Sequence, residues 1–264
     1  MDRQAGQQDA AWVSPPRNLS LGRDEVHVWR VDLARQDAVA DALFASLAVD
    51  EKERAARYVF ERHRRRFIIA RGVLRHILAR YLSLRPAEIR FECNEYGKPS
   101  LPASDAASTP RLHFNISHSE ELALYAFSAE EELGVDVEHV RHDFATEQIA
   151  ERFFSPTEVR AFKELPPELR AEAFFNCWTR KEAYIKALGR GLSHPLHLFT
   201  VSLAPGQPAR LLDDETDSSS TSLWSVRELP IDPSYAAALA LRKGIFRLRC
   251  YDWQGTAEYV GSDK

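Results

Sequence analysis

Two stretches of this chain hold residues that could do chemistry together. Gly134-Val135-Asp136-Val137-Glu138 alternates apolar and acidic residues with period two, so as a strand it turns Asp136 and Glu138 to one face. Some forty residues on, Trp178-Thr179-Arg180-Lys181-Glu182-Ala183-Tyr184-Ile185-Lys186-Ala187-Leu188 has few breakers, reads as a helix, and sets Glu182 and Lys186 one turn apart. Two like charges side by side on a strand cost free energy unless a cation neutralises them. With the third carboxylate, Glu182, they make an oxygen-only set of the kind that holds magnesium and leaves room for phosphate oxygens. Lys181 and Lys186 would then be point-charge partners for those oxygens. Taken singly, the same residues also read as a solvated edge strand and a charged helix face. No His/Cys spacing suggests zinc.

The elements that must position these groups can be read along the chain. Residues 1–22 look like a flexible tail, and Val26 to Val31 alternates as a first strand. Helices are expected over Asp37–Leu47, Asp50–Phe60 and about Glu61–Tyr81, the last with a buried stripe of Phe67, Leu74, Leu78 and Tyr81 flanked by Ile68 and Ile77. Asn94 to Pro99 forms a turn whose Gly97-Lys98 pair exposes an ammonium beside backbone N–H groups, a setting that suits phosphate. Strands follow over Leu112–Ile116, Leu122–Phe127 and Leu133–Val140, and Asn115 to Ser119 is expected to turn tightly at a sheet end. Ser155-Pro156-Thr157-Glu158 is a helix start, with Glu158 completing a capping box, and a helix from Leu169 ends at Gly189. Further strands are expected near Leu198–Leu203, Leu223–Glu228, Ala236–Leu241 and Phe246–Tyr251, with Asp213–Ser222 a disordered loop. Each half runs short helix, long amphipathic helix, strands, and the segment from Ala70 echoes the one from Thr179; this suggests an internal duplication.

Composition bounds the rest. A chain of 264 residues with net charge −4 has no global attraction to nucleic acid or membrane. Eleven Lys or Arg against two acids between Lys52 and Arg85 make that segment locally basic, and a nucleic-acid-binding module built on it is the competing class. Two aromatics interleaved in it, Phe67 and Tyr81, fall on the apolar stripe instead of a stacking face. No apolar run spans a bilayer, and three scattered cysteines suit a reducing cytoplasm, so a cytoplasmic protein is expected.

Five ordered motifs carry a resemblance: Asn94 to Pro99, Phe114 to Ser119, Gly134 to Glu138, Arg152 to Glu158, and Trp178 to Ala187. Together they resemble 4'-phosphopantetheinyl transferases of the monomeric, surfactin-synthetase-activating type, over roughly residues 25 to 245. The resemblance implies an α+β fold of two pseudo-symmetric halves, residues 23–127 and 128–250 with a tail over 251–264, and an active site in the cleft between them. It implies transfer of the 4'-phosphopantetheine arm of coenzyme A to a serine of an acyl or peptidyl carrier domain, releasing 3',5'-ADP. Asp136, Glu138 and Glu182 would hold Mg²⁺, with Mn²⁺ an alternative, and Lys186 would stabilise the transferring phosphate. Lys98, Ser117 and His118 would bind the nucleotide part, with Arg54, Arg66 and Arg71 supplying cations for the 3'-phosphate. Glu158 would take the proton of the carrier serine, directly or through water; on spacing alone it is equally a capping residue. No nucleic acid or membrane partner is implied.

Overall fold

Two 22-residue helices, Glu61–Leu82 and Pro167–Leu188, organise the chain, each lying on its own sheet. The computed structural model describes residues 11–102, 112–129, 131–189, 194–242 and 246–255. Its strands in chain order are β1 (Trp12–Val13), β2 (Glu25–Asp32), β3 (Glu92–Cys93), β4 (Pro99–Ser100), β5 (Leu112–Ser119), β6 (Leu122–Ala129), β7 (Leu133–His139), β8 (Phe199–Val201), β9 (Leu211–Asp214), β10 (Ser225–Glu228), β11 (Tyr235–Leu241) and β12 (Arg247–Asp252). The helices are α1 (Ala40–Ala45), α2 (Val49–Ala56), α3 (Glu61–Leu82), α4 (Glu147–Phe153), α5 (Pro156–Glu164), α6 (Pro167–Leu188) and α7 (Ser220–Leu223).

The first sheet runs β1-β12-β2-β6-β5 and the second β10-β11-β7. In the first, β2 pairs antiparallel with β6, and β6 with β5. In the second, β7 pairs antiparallel with β11, and β11 with β10. The opening strand of each half thus pairs with the last strand, which pairs with the middle one, and a long helix links the first to the other two. This is an α+β fold of two alike halves, as the sequence implied. Strand alternation explains the layers. Trp29, Val31, Tyr125 and Phe127 face α3, whereas Val26, Val28, Leu124 and Ala126 face the second half. There they meet Leu133, Val135, Val137, Leu239 and Leu241 in a core shared by the halves, while Ala236, Ala238 and Ala240 pack under α6.

The duplication extends to buried charge. Glu51 near the start of α2 accepts from the Ala48 N–H (2.9 Å) and from Arg75 Nε (2.6 Å), and Arg75 also donates to the carbonyls of Pro86 and Ile89. Glu158 near the start of α5 accepts from the Ser155 N–H (2.7 Å) and pairs with Lys181 at 2.8 Å, and Lys181 also donates to the carbonyls of Leu196 and Phe199. Arg75 and Lys181 occupy the same position, counted from the first residue of α3 and α6. This register aligns Val73 with Thr179, about one turn from the echo drawn between Ala70 and Thr179.

Several expectations are corrected here. Residues from Trp12 are not a free tail: β1 pairs parallel with β12, and Leu19 and Leu21 pack on the first core. Nor does the second half own the last strand, because β12 pairs parallel with β2 and buries Cys250, Tyr251 and the following Trp253. The segment expected as a disordered loop is docked: the Tyr184 hydroxyl donates to Asp214 (2.7 Å) and lies 3.1 Å from Ser220, both buried. The α3 stripe is Ile69, Val73, Leu74, Ile77 and Leu78, with Phe67 half-buried beneath Arg54 and Tyr58. Residues 1–10 lie outside the described residues.

Candidate functional site: an acidic pocket between the halves

Gly134 lets β7 touch α6. A Cβ there would stand 2.1 Å from the Ala183 carbonyl oxygen and 2.5 Å from the Ala187 nitrogen. The bare backbone therefore seats the strand directly on the helix, and the next two residues on that face, Asp136 and Glu138, are brought toward Glu182 and Lys186. These four line a pocket of about 470 Å³ with Trp178 from α6 and Ile116, Ser117 and His118 from β5. One wall thus comes from the first half and two from the second.

Asn115, Ser117 and Ser119 join the halves in a way the sequence reading missed. Instead of turning at the sheet end, they continue β5, and their side chains line up along the open edge of β7. Asn115 Oδ1 accepts from the Val135 N–H (2.9 Å), Ser117 Oγ from the Val137 N–H (3.4 Å) and Ser119 Oγ from the His139 N–H (3.1 Å). The i, i+2, i+4 spacing of Asn-x-Ser-x-Ser is the strand period, and that was the available signal. Side-chain oxygens thus satisfy edge amides that would otherwise lack partners. The two serine hydroxyls also donate to the acids, Ser117 to Asp136 Oδ1 and Ser119 to Glu138 Oε2, each at 2.8 Å.

The electrostatics are those of a site short of positive charge. Lys186 Nζ donates to Asp136 Oδ1 (2.7 Å) and Ser117 Oγ (3.0 Å). Asp136 is buried, and its second carboxylate oxygen has no hydrogen-bond partner. Burial and then the Asp136 charge raise the Glu138 carboxyl above its ordinary range. The same two causes push Glu182 up to about 7, with Glu138 adding to them and Lys186 opposing. His118 keeps solvent contact as a residue, yet desolvation of its ring, then Lys186 and Arg66, lower its proton affinity. An orphaned buried oxygen flanked by two carboxylates that resist ionising fits a hard divalent cation. Among the described residues no three such side chains are gathered into a finished cage.

Other expected site residues lie elsewhere. Lys98 reaches Glu132 (3.1 Å) and lines an adjoining cleft of about 820 Å³ with His113, Leu188 and Gly189. The two clefts follow one another along β5 and α6. Arg66 is paired with Glu120 and Glu121 beyond the end of β5, close enough for its charge to act on His118. Arg71 is held by Glu51 and stacks on Phe91, and Arg54 lies over Phe67, so neither reaches the pocket.

Glu158 and Lys181 are not brought to the pocket lining. Both are buried, and both are fully engaged in the capping network described above, where Glu158 Oε1 also accepts from the Val201 N–H (2.7 Å). Glu158 has the capping-box geometry at the start of α5, and the corresponding acid of the first half also meets a buried cation. The basic segment is compensated in part: Arg65 pairs with Asp37, Arg66 with Glu120 and Glu121, and Arg71 and Arg75 with Glu51.

Comparison with known proteins agrees with this architecture. A model of the N-terminal region of 4'-phosphopantetheinyl transferases matches residues 35–130, and the 4'-phosphopantetheinyl transferase superfamily model matches residues 132–240. The two matches meet between β6 and β7, where the second half begins. The chain is 40% identical over 230 residues to the 4'-phosphopantetheinyl transferase HetI of Nostoc sp. (strain PCC 7120), covering 87% of this chain and 93% of that one. It is 31% identical over 194 residues to the 4'-phosphopantetheinyl transferase Sfp of Bacillus subtilis (strain 168), covering 73% and 81%. Human L-aminoadipate-semialdehyde dehydrogenase-phosphopantetheinyl transferase is 30% identical over 213 residues, covering 75% and 68%. With a relative this similar over nearly its whole length, and with both halves matched in order, the chain belongs to the 4'-phosphopantetheinyl transferase family.

Proposed function

We propose that the pocket between β5, β7 and α6 is where this transferase moves the 4'-phosphopantetheine arm of coenzyme A to a serine of an acyl or peptidyl carrier domain. The serine oxygen bonds to the phosphorus that bears the pantetheine arm, the bridging P–O bond breaks, and 3',5'-ADP leaves. The observation that carries this reading is Asp136, with one oxygen held by Lys186 and Ser117 and the other buried and unpartnered. Asp136, Glu138 and Glu182 would hold Mg²⁺ or Mn²⁺, which when bound supplies charge neutralisation for the pyrophosphate.

The chain's own residues do the rest. Lys186 gives an ammonium to the non-bridging oxygens, and Ser117, whose hydroxyl donates to Asp136 and accepts from Lys186, holds that pair in place beside the nucleotide part. His118 and Arg66 stand at one rim for the 3'-phosphate, Arg66 exchanging its glutamates for that group. Lys98 meets whichever end of the extended ligand enters the adjoining cleft. With Glu158 committed to Lys181, the serine proton falls to the pocket carboxylates, of which Glu182 has no hydrogen-bond partner among the described residues. A monomer in the cytoplasm completes the proposal; no helix among the described residues is long and apolar enough to cross a membrane.

The test is to incubate the protein with coenzyme A, Mg²⁺ and several unrelated apo carrier domains and weigh the carriers by mass spectrometry. A phosphopantetheine adduct is expected, and its absence from all of them would overturn the reading.

A further inference from the structure

The link between α2 and α3 is apolar and bare. Val59 is 89% exposed and Phe60 66% exposed, and the two are consecutive. Large side chains so exposed usually find a burial elsewhere, and here no core cluster takes them. Phe60 meets only the ring of the exposed His63 among the described aromatics. Around this tip stand Arg57 and Arg62, both exposed, whose side chains make no ion pair or hydrogen bond among the described residues. They contrast with Arg65, Arg66, Arg71 and Arg75 of the same segment, which are all held by acids of this chain.

Position gives the tip a use. Phe60 precedes the first residue of α3, six residues before Arg66, so it lies about 9 Å along the helix axis from that side chain. Arg66 is tied to the β5–β6 turn and acts on His118, a pocket residue. The tip therefore adjoins, along α3, a side chain whose charge reaches the pocket from the first half's side. A macromolecule that offers a serine to this pocket must cover the rim, whereas a small ligand need not.

We propose that Val59 and Phe60, framed by Arg57 and Arg62, form a docking surface for the carrier domain, one that presents an apolar side chain ringed by carboxylates beside its modified serine. An aromatic anchor with arginines at its margin is the composition of an interface hot spot, and the free cations match an acidic partner. The proposal rests on the transfer reaction assigned above. It adds to the first half, which already lends Ser117 and His118 to the pocket, the reading of the protein substrate.

Two variants test it, Val59→Ser/Phe60→Ser and Arg57→Glu/Arg62→Glu, each altering only exposed side chains. Binding of an acidic apo acyl carrier domain is measured by calorimetry, and transfer kinetics are measured against both carrier and coenzyme A. Each variant is expected to weaken carrier binding and raise the KM for carrier at least tenfold, with the KM for coenzyme A and the melting temperature unchanged. Wild-type carrier affinity should fall with added salt, and that dependence should flatten in Arg57→Glu/Arg62→Glu. Unchanged carrier affinity in both variants would overturn the proposal, as would loss of single-stranded DNA binding with carrier kinetics intact. Calorimetry reads docking without turnover, so a failure of the transfer reaction is seen separately from a failure of this surface.

Discussion

Glu182, proposed above as a metal ligand, is costly to the fold when ionised. Its carboxyl is pushed up to about 7 by burial and by Asp136, from an ordinary value of 4.5. An acid whose folded pKa is raised opposes folding only when ionised. The penalty is therefore full above pH 7, shrinks as pH falls, and vanishes below 4.5. Glu182→Gln should melt higher than the wild type at pH 8 without metal, with the gain fading toward pH 4.5, while transfer is lost. Calorimetric melts across that range check the sign. Added Mg²⁺ should raise the wild-type melting temperature at pH 8 and leave that of Glu182→Gln nearly unchanged. Metal binding should also release a proton near neutral pH, because the ligand must be deprotonated.

At the scale of elements, two contacts set the geometry. The first is β7 on α6 through Gly134. Gly134→Ala inserts a methyl group against backbone, which cannot move aside as a side-chain tip can, so a loss of about 1–3 kcal/mol is expected with a fall in transfer. Urea midpoints and turnover of the same preparation would show both. The second is α5 on α6 through the buried pair Glu158–Lys181. Lys181→Met leaves a buried carboxylate without its cation and should cost roughly 3–5 kcal/mol. Glu158→Gln keeps one acceptor oxygen, for the Ser155 or the Val201 N–H but not both, and loses the charge. It should be destabilised yet transfer within a few-fold of the wild type when assayed well below its melting temperature. A drop of several orders of magnitude in a folded Glu158→Gln protein would restore the base role that the motif implied.

At the scale of the whole molecule, the duplication produced two frames and one site. In the register set by Arg75 and Lys181, His76 and Arg80 of α3 stand where α6 carries Glu182 and Lys186, so the first half has no acid there to pair with a strand carboxylate. Its polar interior holds neutral imidazole instead. His27 of β2 is buried against the Tyr81 hydroxyl (2.8 Å) and the Tyr251 ring, with Glu25 and Arg249 as charged neighbours. Desolvation, the largest effect, lowers it to about 4 from 6.5. A base lowered in the folded state contributes stability that is intact above pH 6.5 and lost as pH falls from 6.5 to 4, on the order of 3 kcal/mol. His76, lowered to about 4 by desolvation, acts in the same direction. Because the titration of Glu182 acts oppositely over this range, the comparison is made in Glu182→Gln: its urea midpoint should fall from pH 7.5 to 4.5, and fall less when His27→Gln is added, the remaining slope belonging to His76.

The sequence by itself determined what local spacing encodes. Period two put Asp136 and Glu138 on one face, helical spacing put Glu182 one turn from Lys186, and the Ser155 cap and Gly189 stop bounded α5 and α6. The repeat was visible as a similarity of element order. What only the tertiary structure decided were pairings between distant residues. β12 joins β2 across more than two hundred residues, and the Asn115-Ser117-Ser119 ladder closes the edge of β7. Glu158 finds Lys181 inside the second half rather than in the cleft. A carboxylate carries the same local signal whether its partner is a buried ammonium or a metal. Which one it meets depends on the face its helix turns to the core, and that is settled by burial summed over the whole chain.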